Sequence, residues 1–477
     1  MTIPFERLKL DTLYPLSSVC QGGIINVVLI STYELGHQPF GLASPAAWLK
    51  REGARVTCLD LVVQGLDAQV IASADLVAFY TPMHTATRIA VSLVARVRAI
   101  NPGGCLCFYG LYAPLNEEYL RRLGVDIILG GEFEDGLVSL YRRLVEGRIG
   151  SQTEPVISLA RQDFITPDRS GLPGLALYAT LDLGDGARRV AGYTEASRGC
   201  KHACRHCPIV PVYGGRFRIV QRDVVLADIR QQVEAGARHV TFGDPDFFNG
   251  PGHAISIVEA LHRELPGVTY DVTIKIEHLL KHAHLLPVLR DTGCLFVTSA
   301  AESVDDEVLA MLDKRHTRQD FVRAVSLLRD IGLTLCPTFV PFHPWTTPES
   351  YLDLLDHVAR LGLVENVSPI QYAIRLLLPA GSKLLELPAV QEFVDEFDPV
   401  ALCYPWTHPD ARVDRLHAGV LAAVKEGQDR KLPRPAIFLR VWHLAREAAA
   451  LNAPRFPQSH VSWPAEPIPR LSEPWYC

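Results

Sequence analysis

The 477-residue sequence has no run of about 18 apolar residues, the length at which a helix becomes a candidate to cross a bilayer. Its first residues, MTIPFERLKLDTLYPL, lack the basic-then-apolar pattern of an export signal. Membrane spanning and export are therefore not expected, and the cytoplasm is the compartment to expect. No Lys/Arg cluster occurs and the net charge is only -6, so a protein devoted to holding nucleic acid is not expected either. A small molecule or a peptide is the favoured substrate. No Gly-x-Gly-x-x-Gly follows the first apolar run, which disfavours a nicotinamide cofactor. The eleven cysteines, an odd number scattered through a long chain, read as reduced thiols or metal ligands and not as a disulfide framework.

At 48% hydrophobic and 21% charged residues, the chain can bury sizeable cores, and its length implies two or three domains. In residues 1–150, apolar runs recur: INVVLI (25–30), RVTCLDLVV (55–63), DLVAFY (75–80), CLCFYGLY (105–112) and VDIIL (125–129). They are too continuous for strands with one wet face and suit a parallel sheet covered on both sides. Helical patterns lie between them; Ser44 and Pro45 read as a cap and first turn, and Gly53 as a stop. The fold class is thus α/β, beginning with a doubly wound, Rossmann-type domain whose ligand would sit at the carboxyl ends of the strands. The loops there carry His84, Gly110, Gly130, Gly131 and Glu132, where a large flat cofactor would approach the backbone; the same residues also read as ordinary turns.

Residues 151–190, rich in Pro and Gly, read as a linker. A second series of strands follows over residues 191–380: GYTEAS (192–197), HVTFGD (239–244), YDVTIK (270–275), CLFVTSA (294–300), LTLCPTFV (333–340) and NVSPIQYAI (366–374). Amphipathic patterns such as HTRQDFVRAVSLLRDIG (316–332) separate them, and six such units predict a partial (β/α)6 barrel with its chemistry at the strand C-termini. Residues 381–477 read as a helical cap with a Pro-rich tail. Directly after the first barrel strand stands EASRGCKHACRHCPIV, with Cys200, Cys204 and Cys207. Zinc would need a fourth ligand, His202 or His206. An iron-sulfur cluster takes one thiolate per iron, so three cysteines leave one iron of four open.

CKHACRHC resembles the C-x-x-x-C-x-x-C signature of radical S-adenosylmethionine (SAM) enzymes, with the ring of His206 where that family commonly has an aromatic one. The resemblance implies a 4Fe-4S cluster on Cys200, Cys204 and Cys207, with SAM at the open iron. It also implies reductive cleavage to a 5'-deoxyadenosyl radical and a reductant such as flavodoxin or ferredoxin. FGDPDFF (242–248) stands where the family's Gly-rich stretch meets the methionyl amino group, so Gly243 and Asp244 are the matching positions, with Gly-Asp-Pro in place of Gly-Gly-Glu. Glu277 and Glu302 resemble the polar positions facing the adenosyl group or substrate and are candidate catalytic groups; both also read as helix caps.

A doubly wound domain ahead of such a barrel resembles the cobalamin-binding radical enzymes, over about residues 25–380, and GGEFEDG resembles their acidic glycine turn. It implies cobalamin contacts from His84, Gly110, Gly131 and Glu132, although no Asp-x-His-x-x-Gly occurs in the first 150 residues. EPWYC, STYELGHQPFGLAS and PFHPWTT resemble a subgroup with a CUAEP or CCAEP tail. That makes Cys477 a candidate redox or acceptor group, with selenocysteine expected next. The implied function is cobalamin-dependent methylation of an unreactive centre. Cobalamin-independent coupling, rearrangement or carbon-sulfur chemistry is the alternative, and a zinc-holding structural module is the reading from another class.

Overall fold

The computed structural model describes residues 25–148, 152–184, 186–449 and 468–472. The apolar runs of the first part form β1 (Asn26–Ser31), β2 (Arg55–Asp60), β3 (Leu76–Tyr80), β4 (Cys105–Tyr109) and β5 (Ile127–Gly131), and a short β6 (Ile157–Ser158) adds an edge. All pairs are parallel, in the order β2-β1-β3-β4-β5-β6. Alternate side chains enter two separate cores. Val27 and Leu29 pack with Leu42, Leu49 and Leu137 on one face; Val28 and Ile30 pack with Ala90 and Val94 on the other. With helices on both faces the central strands β3, β4 and β5 are almost wholly buried, hence their unbroken apolar runs.

The first helix spans Phe40–Arg51, so the expected start at Ser44–Pro45 is corrected: Pro45 lies inside it. A proline there removes the bond to the carbonyl four residues back. That carbonyl, on Gly41, instead accepts from the Tyr109 hydroxyl at 2.8 Å. Ser44 Oγ donates to Glu134 Oε1 at 2.6 Å.

The second sheet starts within residues 151–190, with β7 (Thr180–Asp182) and β8 (Arg188–Thr194). After β8 come a small hairpin, β9 (Ser197–Gly199) and β10 (Phe217–Ile219), and then β11 (His239–Phe242), β12 (Thr269–Thr273), β13 (Cys294–Glu302) and β14 (Thr334–Phe339). A terminal β15 (Arg470–Leu471) completes the order β14-β13-β12-β11-β8-β7-β15. Strands β8, β11, β12, β13 and β14 are parallel, whereas β7 and β15 are antiparallel additions. Helices cover the outer face. The one at Arg318–Ile331 has a Thr317/Asp320 capping box and stops at Gly332, φ 81°.

The expected sixth strand at 366–374 is corrected: it folds as a 3-10 turn, Pro369–Tyr372, joined to the chain after β14 by a single parallel bridge, Phe342 to Arg375. The edge of β14 explains this. Leu335 O accepts from Asn366 Nδ2 at 2.8 Å, Phe339 N donates to Gln371 Oε1 at 3.1 Å, and Pro337 between them has no N–H. Side chains satisfy the edge, so the barrel stays a half barrel of five parallel strands. Helices Ala411–Asp429 and Arg434–Ala448 join its outer core through Val420, Phe438 and Trp442. Among the described residues no helix is long and apolar enough to cross a membrane.

Candidate functional site

The three clustered cysteines lie on the loop that leaves β9, at the C-terminal edge of the half barrel. Gly199 turns the chain with φ 73°, and a Cβ there would fall 2.6 Å from Arg216 O. The loop is fastened on both sides. Lys201 N donates to Asn249 Oδ1 at 3.2 Å, Arg205 N to Leu312 O at 3.0 Å, and Cys207 N to Cys204 O at 3.1 Å. Cys200, Cys204 and Cys207 are all free thiols. Burial pushes the Cys200 thiol up to about 11 and Cys207 up to about 12, and neighbouring thiols add to both shifts. Three soft donors on one short loop suit a centre that would absorb their negative charge.

The two histidines of the motif are engaged by carboxylates. His202 Nε2 lies 3.2 Å from Asp246 Oδ2, and His278 Nδ1 lies 2.6 Å from the same oxygen. His206 Nε2 lies 3.1 Å from Glu302 Oε1, which also accepts from Lys314 Nζ at 3.1 Å. Donor atoms of Cys200, His202 and Asp246 lie within 4.8 Å of one another, a mixed set with one sulfur. It differs from the three-cysteine, one-histidine set of the zinc reading.

Glu302 sits at a register shift at the end of β13 with φ 65°. Burial alone would raise it, but the Lys314 ammonium and His206 hold its carboxyl well below the usual carboxylate range. Glu277 is partly exposed and accepts from Lys275 Nζ at 3.3 Å; burial opposes its ionisation, but Lys275 prevails and lowers it. Asp244 lines the half-barrel interior, and its carboxylate braces the strand ends. Its Oδ2 accepts from Ala196 N at 2.9 Å and Oδ1 from Ser197 Oγ at 2.5 Å, and burial pushes it up to about 7. Beside it, Gly243 N donates to Thr194 O at 2.8 Å, and a Cβ on Gly243 would fall 1.9 Å from the Tyr193 hydroxyl.

The order of the first sheet reverses between β1 and β3, and there, outside the strand C-termini, a cavity of about 210 Å³ opens toward the half barrel. Pro82, Met83, Leu111 and Gly131 form one wall; Ser197 and Gly199, next to the cysteine loop, form the other. Three of the expected cofactor residues have protein neighbours of their own. His84 Nε2 lies 2.6 Å from Ala401 O, and Gly110 packs against the Thr81 carbonyl; neither lines this cavity. Glu132 is fully buried, accepts from the Tyr213 hydroxyl at 3.2 Å and lies 3.5 Å from Arg198. A second cavity, about 340 Å³, occupies the half-barrel interior and shares Leu35, His37, Tyr193 and Gly243 with the first. Cys477 lies outside the described residues. Sequence reasoning missed Arg198, whose only signal was its place two residues before Cys200, and the cavity residues Arg434 and Arg470.

Residues 194–358 match the Radical SAM superfamily model. The chain is 24% identical over 328 residues to hopanoid C-3 methylase of Methylococcus capsulatus, covering 65% of this chain and 62% of that one. It is 25% identical over 204 residues to tRNA-2-methylthio-N(6)-dimethylallyladenosine synthase of Desulfosudis oleivorans, covering 40% and 42%. The match thus spans less than two thirds of either relative. Two solved structures share the fold. The radical SAM methyltransferase TsrM of Kitasatospora setae superposes with a TM-score of 0.60 at 17% identity, over 76% of this chain and 75% of its own. The cobalamin-dependent SAM radical enzyme OxsB superposes with a TM-score of 0.68 at 13% identity, over 87% and 72%. The half barrel with its cysteine loop is a radical SAM domain.

Proposed function

We propose that this enzyme transfers a methyl group to an unreactive centre of a small molecule or peptide, using a 4Fe-4S cluster, SAM and cobalamin. One observation carries the reading: the cavity at the reversal point of the first sheet is walled on its far side by Ser197 and Gly199, the strand that delivers the cysteine loop. A corrinoid there would face a sulfonium donor at the loop. The relatives support this, since hopanoid C-3 methylase and TsrM are named for methylation and OxsB for cobalamin.

Cys200, Cys204 and Cys207 would hold the cluster, and the thiol donor set fits it. When bound, the cluster supplies an electron to SAM at its open iron, and cobalamin supplies a methyl carrier. The protein's own part is positioning and exclusion of water. The Glu302–Lys314–His206 group fixes the far edge of the loop as a buried, charge-balanced wall. Gly243 lines both cavities, and with its N–H given to Thr194 O, its carbonyl would be the group left for the methionyl ammonium of SAM. Pro82, Met83 and Leu111 offer the flat apolar wall that a corrin face needs.

Anaerobic reconstitution tests this. The expected result is about four irons per chain, a corrinoid absorbance and SAM turnover. Iron and SAM cleavage without corrinoid binding would overturn methyl transfer in favour of direct radical chemistry. A colourless zinc protein would overturn both.

A further inference from the structure

We propose that the larger cavity, taken as the substrate chamber of the enzyme proposed above, binds a zwitterion of the α-amino-acid type, with Arg434 and Arg470 reading the carboxylate and Asp271 the ammonium. At about 340 Å³ the chamber lies within the range of small-molecule sites. Its walls are unusually polar for a strand interior: Thr241, Asp271, Thr273, Thr298 and Thr338 all line it. They recur at alternate strand positions, as inward-facing residues must.

The charges of the chamber are unbalanced locally. Asp271, 4% exposed, uses Oδ1 to accept from Thr241 Oγ1 at 2.9 Å, with His239 Nε2 at 3.6 Å from the same oxygen. Its Oδ2 has no hydrogen-bond partner among the described residues. Arg434 uses only Nη1, which donates to Glu365 O at 2.5 Å. Arg470 Nη2 donates to Glu365 Oε2 at 2.5 Å, and its Nε is buried without a partner. Arg470 alone holds the Glu365 carboxylate, and Arg434 meets only the Glu365 backbone carbonyl. The two guanidiniums are near enough that burial, and then Arg470, both lower Arg434, to about 10.

No ion pair joins Asp271 to either arginine among the described residues, although all three line the same chamber. A neutral ligand would leave Asp271 Oδ2 and the Arg434 guanidinium desolvated with no opposite charge against them, and a simple anion or cation would satisfy one and oppose the other. A ligand with both signs satisfies both, and guanidinium forks suit a carboxylate.

Two sources offer this chemistry: a free amino acid, and the methionyl end of SAM itself. The test is ligand-observed NMR on the reconstituted full chain, with iron content measured on the same sample. The probes are the twenty proteinogenic L-amino acids, their deamino acids and their decarboxylated amines, with and without excess SAM. The expected result is at least one amino acid bound in the presence of SAM, with both analogues weaker by about tenfold or more. Arg434→Gln should erase the preference over the amine, and Asp271→Asn the preference over the deamino acid. Arg470→Gln, at a half-exposed position that tolerates change, should weaken carboxylate recognition if Arg434→Gln does not fold. Failure of every amino acid to bind, displacement of the bound one by SAM, or unchanged selectivity in folded variants would overturn the proposal. Absent iron with selective binding intact would instead overturn the radical reading alone.

Discussion

Arg198 crosses the boundary between the two sheets and grips Glu134 with both ends of its guanidinium, Nη1 to Oε2 at 2.8 Å and Nη2 to Oε1 at 2.7 Å. Its Nε donates to Glu195 Oε2 at 2.6 Å, and its charge lies 5.0 Å from the ring centres of Phe133 and Phe164. Glu134 follows β5, whereas Arg198 stands two residues before Cys200. The cysteine loop is thereby keyed to the first sheet.

Removing that guanidinium leaves Glu132, Glu134 and Glu195 buried together. Arg198→Ala is expected to destabilise the protein by about 3–5 kcal/mol, the range for stripping one partner from a buried ion pair. Urea unfolding followed by circular dichroism measures it. A loss below about 1 kcal/mol would mean the network carries no such burden.

Gly243→Ala places a methyl group against the Tyr193 hydroxyl in a buried position. The expected cost is about 1–3 kcal/mol, as for other overpacked sites. Because the clash takes in the ring carbon that bears the hydroxyl, 2.2 Å away, as well as the oxygen, Tyr193→Ala and not Tyr193→Phe in the same chain should recover part of it. Absence of any recovery in the double variant would contradict the contact.

Stability should carry a pH signature from Asp244. Its folded-state value of about 7 stands above the ordinary 3.8, so the native state holds the proton more tightly than the unfolded chain does. The contribution is full below about pH 4, is lost as pH rises from there to about 7, and is flat above. Glu132, raised to about 7, acts in the same direction. Glu302, depressed, acts oppositely: its contribution is present above pH 4.5 and is lost as pH falls. The Tm difference between wild type and Asp244→Asn isolates the first group. It should favour wild type most near pH 4 and shrink toward pH 7.

Cysteine substitutions should divide sharply. Alanine at Cys200, Cys204 or Cys207 is expected to abolish retention of the full iron content. Cys107→Ala, fully buried in β4, should keep the iron and cost about 1 kcal/mol in packing. Iron and sulfide assays on the four proteins decide this, and equal iron in all of them would remove the assignment.

The first sheet was legible in the sequence because helices bury both its faces, so that β1 to β5 stand as apolar runs bounded by turn residues. The cysteine loop was legible because its spacing is local. The clamp was not, since Arg198 and Glu134 are 64 positions apart and nothing near either announces the other. The protein partners of His84, Asp244 and Glu132 were not legible either: a carbonyl, an amide and a tyrosine hydroxyl meet their side chains. Polar residues at strand ends have two uses, and only tertiary geometry separates them. The sixth strand failed for a similar reason, because Asn366 and Gln371 supply through side chains what a backbone ladder would have supplied.

That substitution at the flank of β14 has a mechanical meaning. A cylinder sealed by continuous strand pairing can part only by breaking a whole row of bonds. Here two amide side chains and a proline make the seam, and releasing both amides costs about 1–3 kcal/mol. The closure therefore rests on a few separate contacts, these amides and the Phe342–Arg375 bridge, and on the burial of Val367 and Tyr372, with no continuous ladder to share the load.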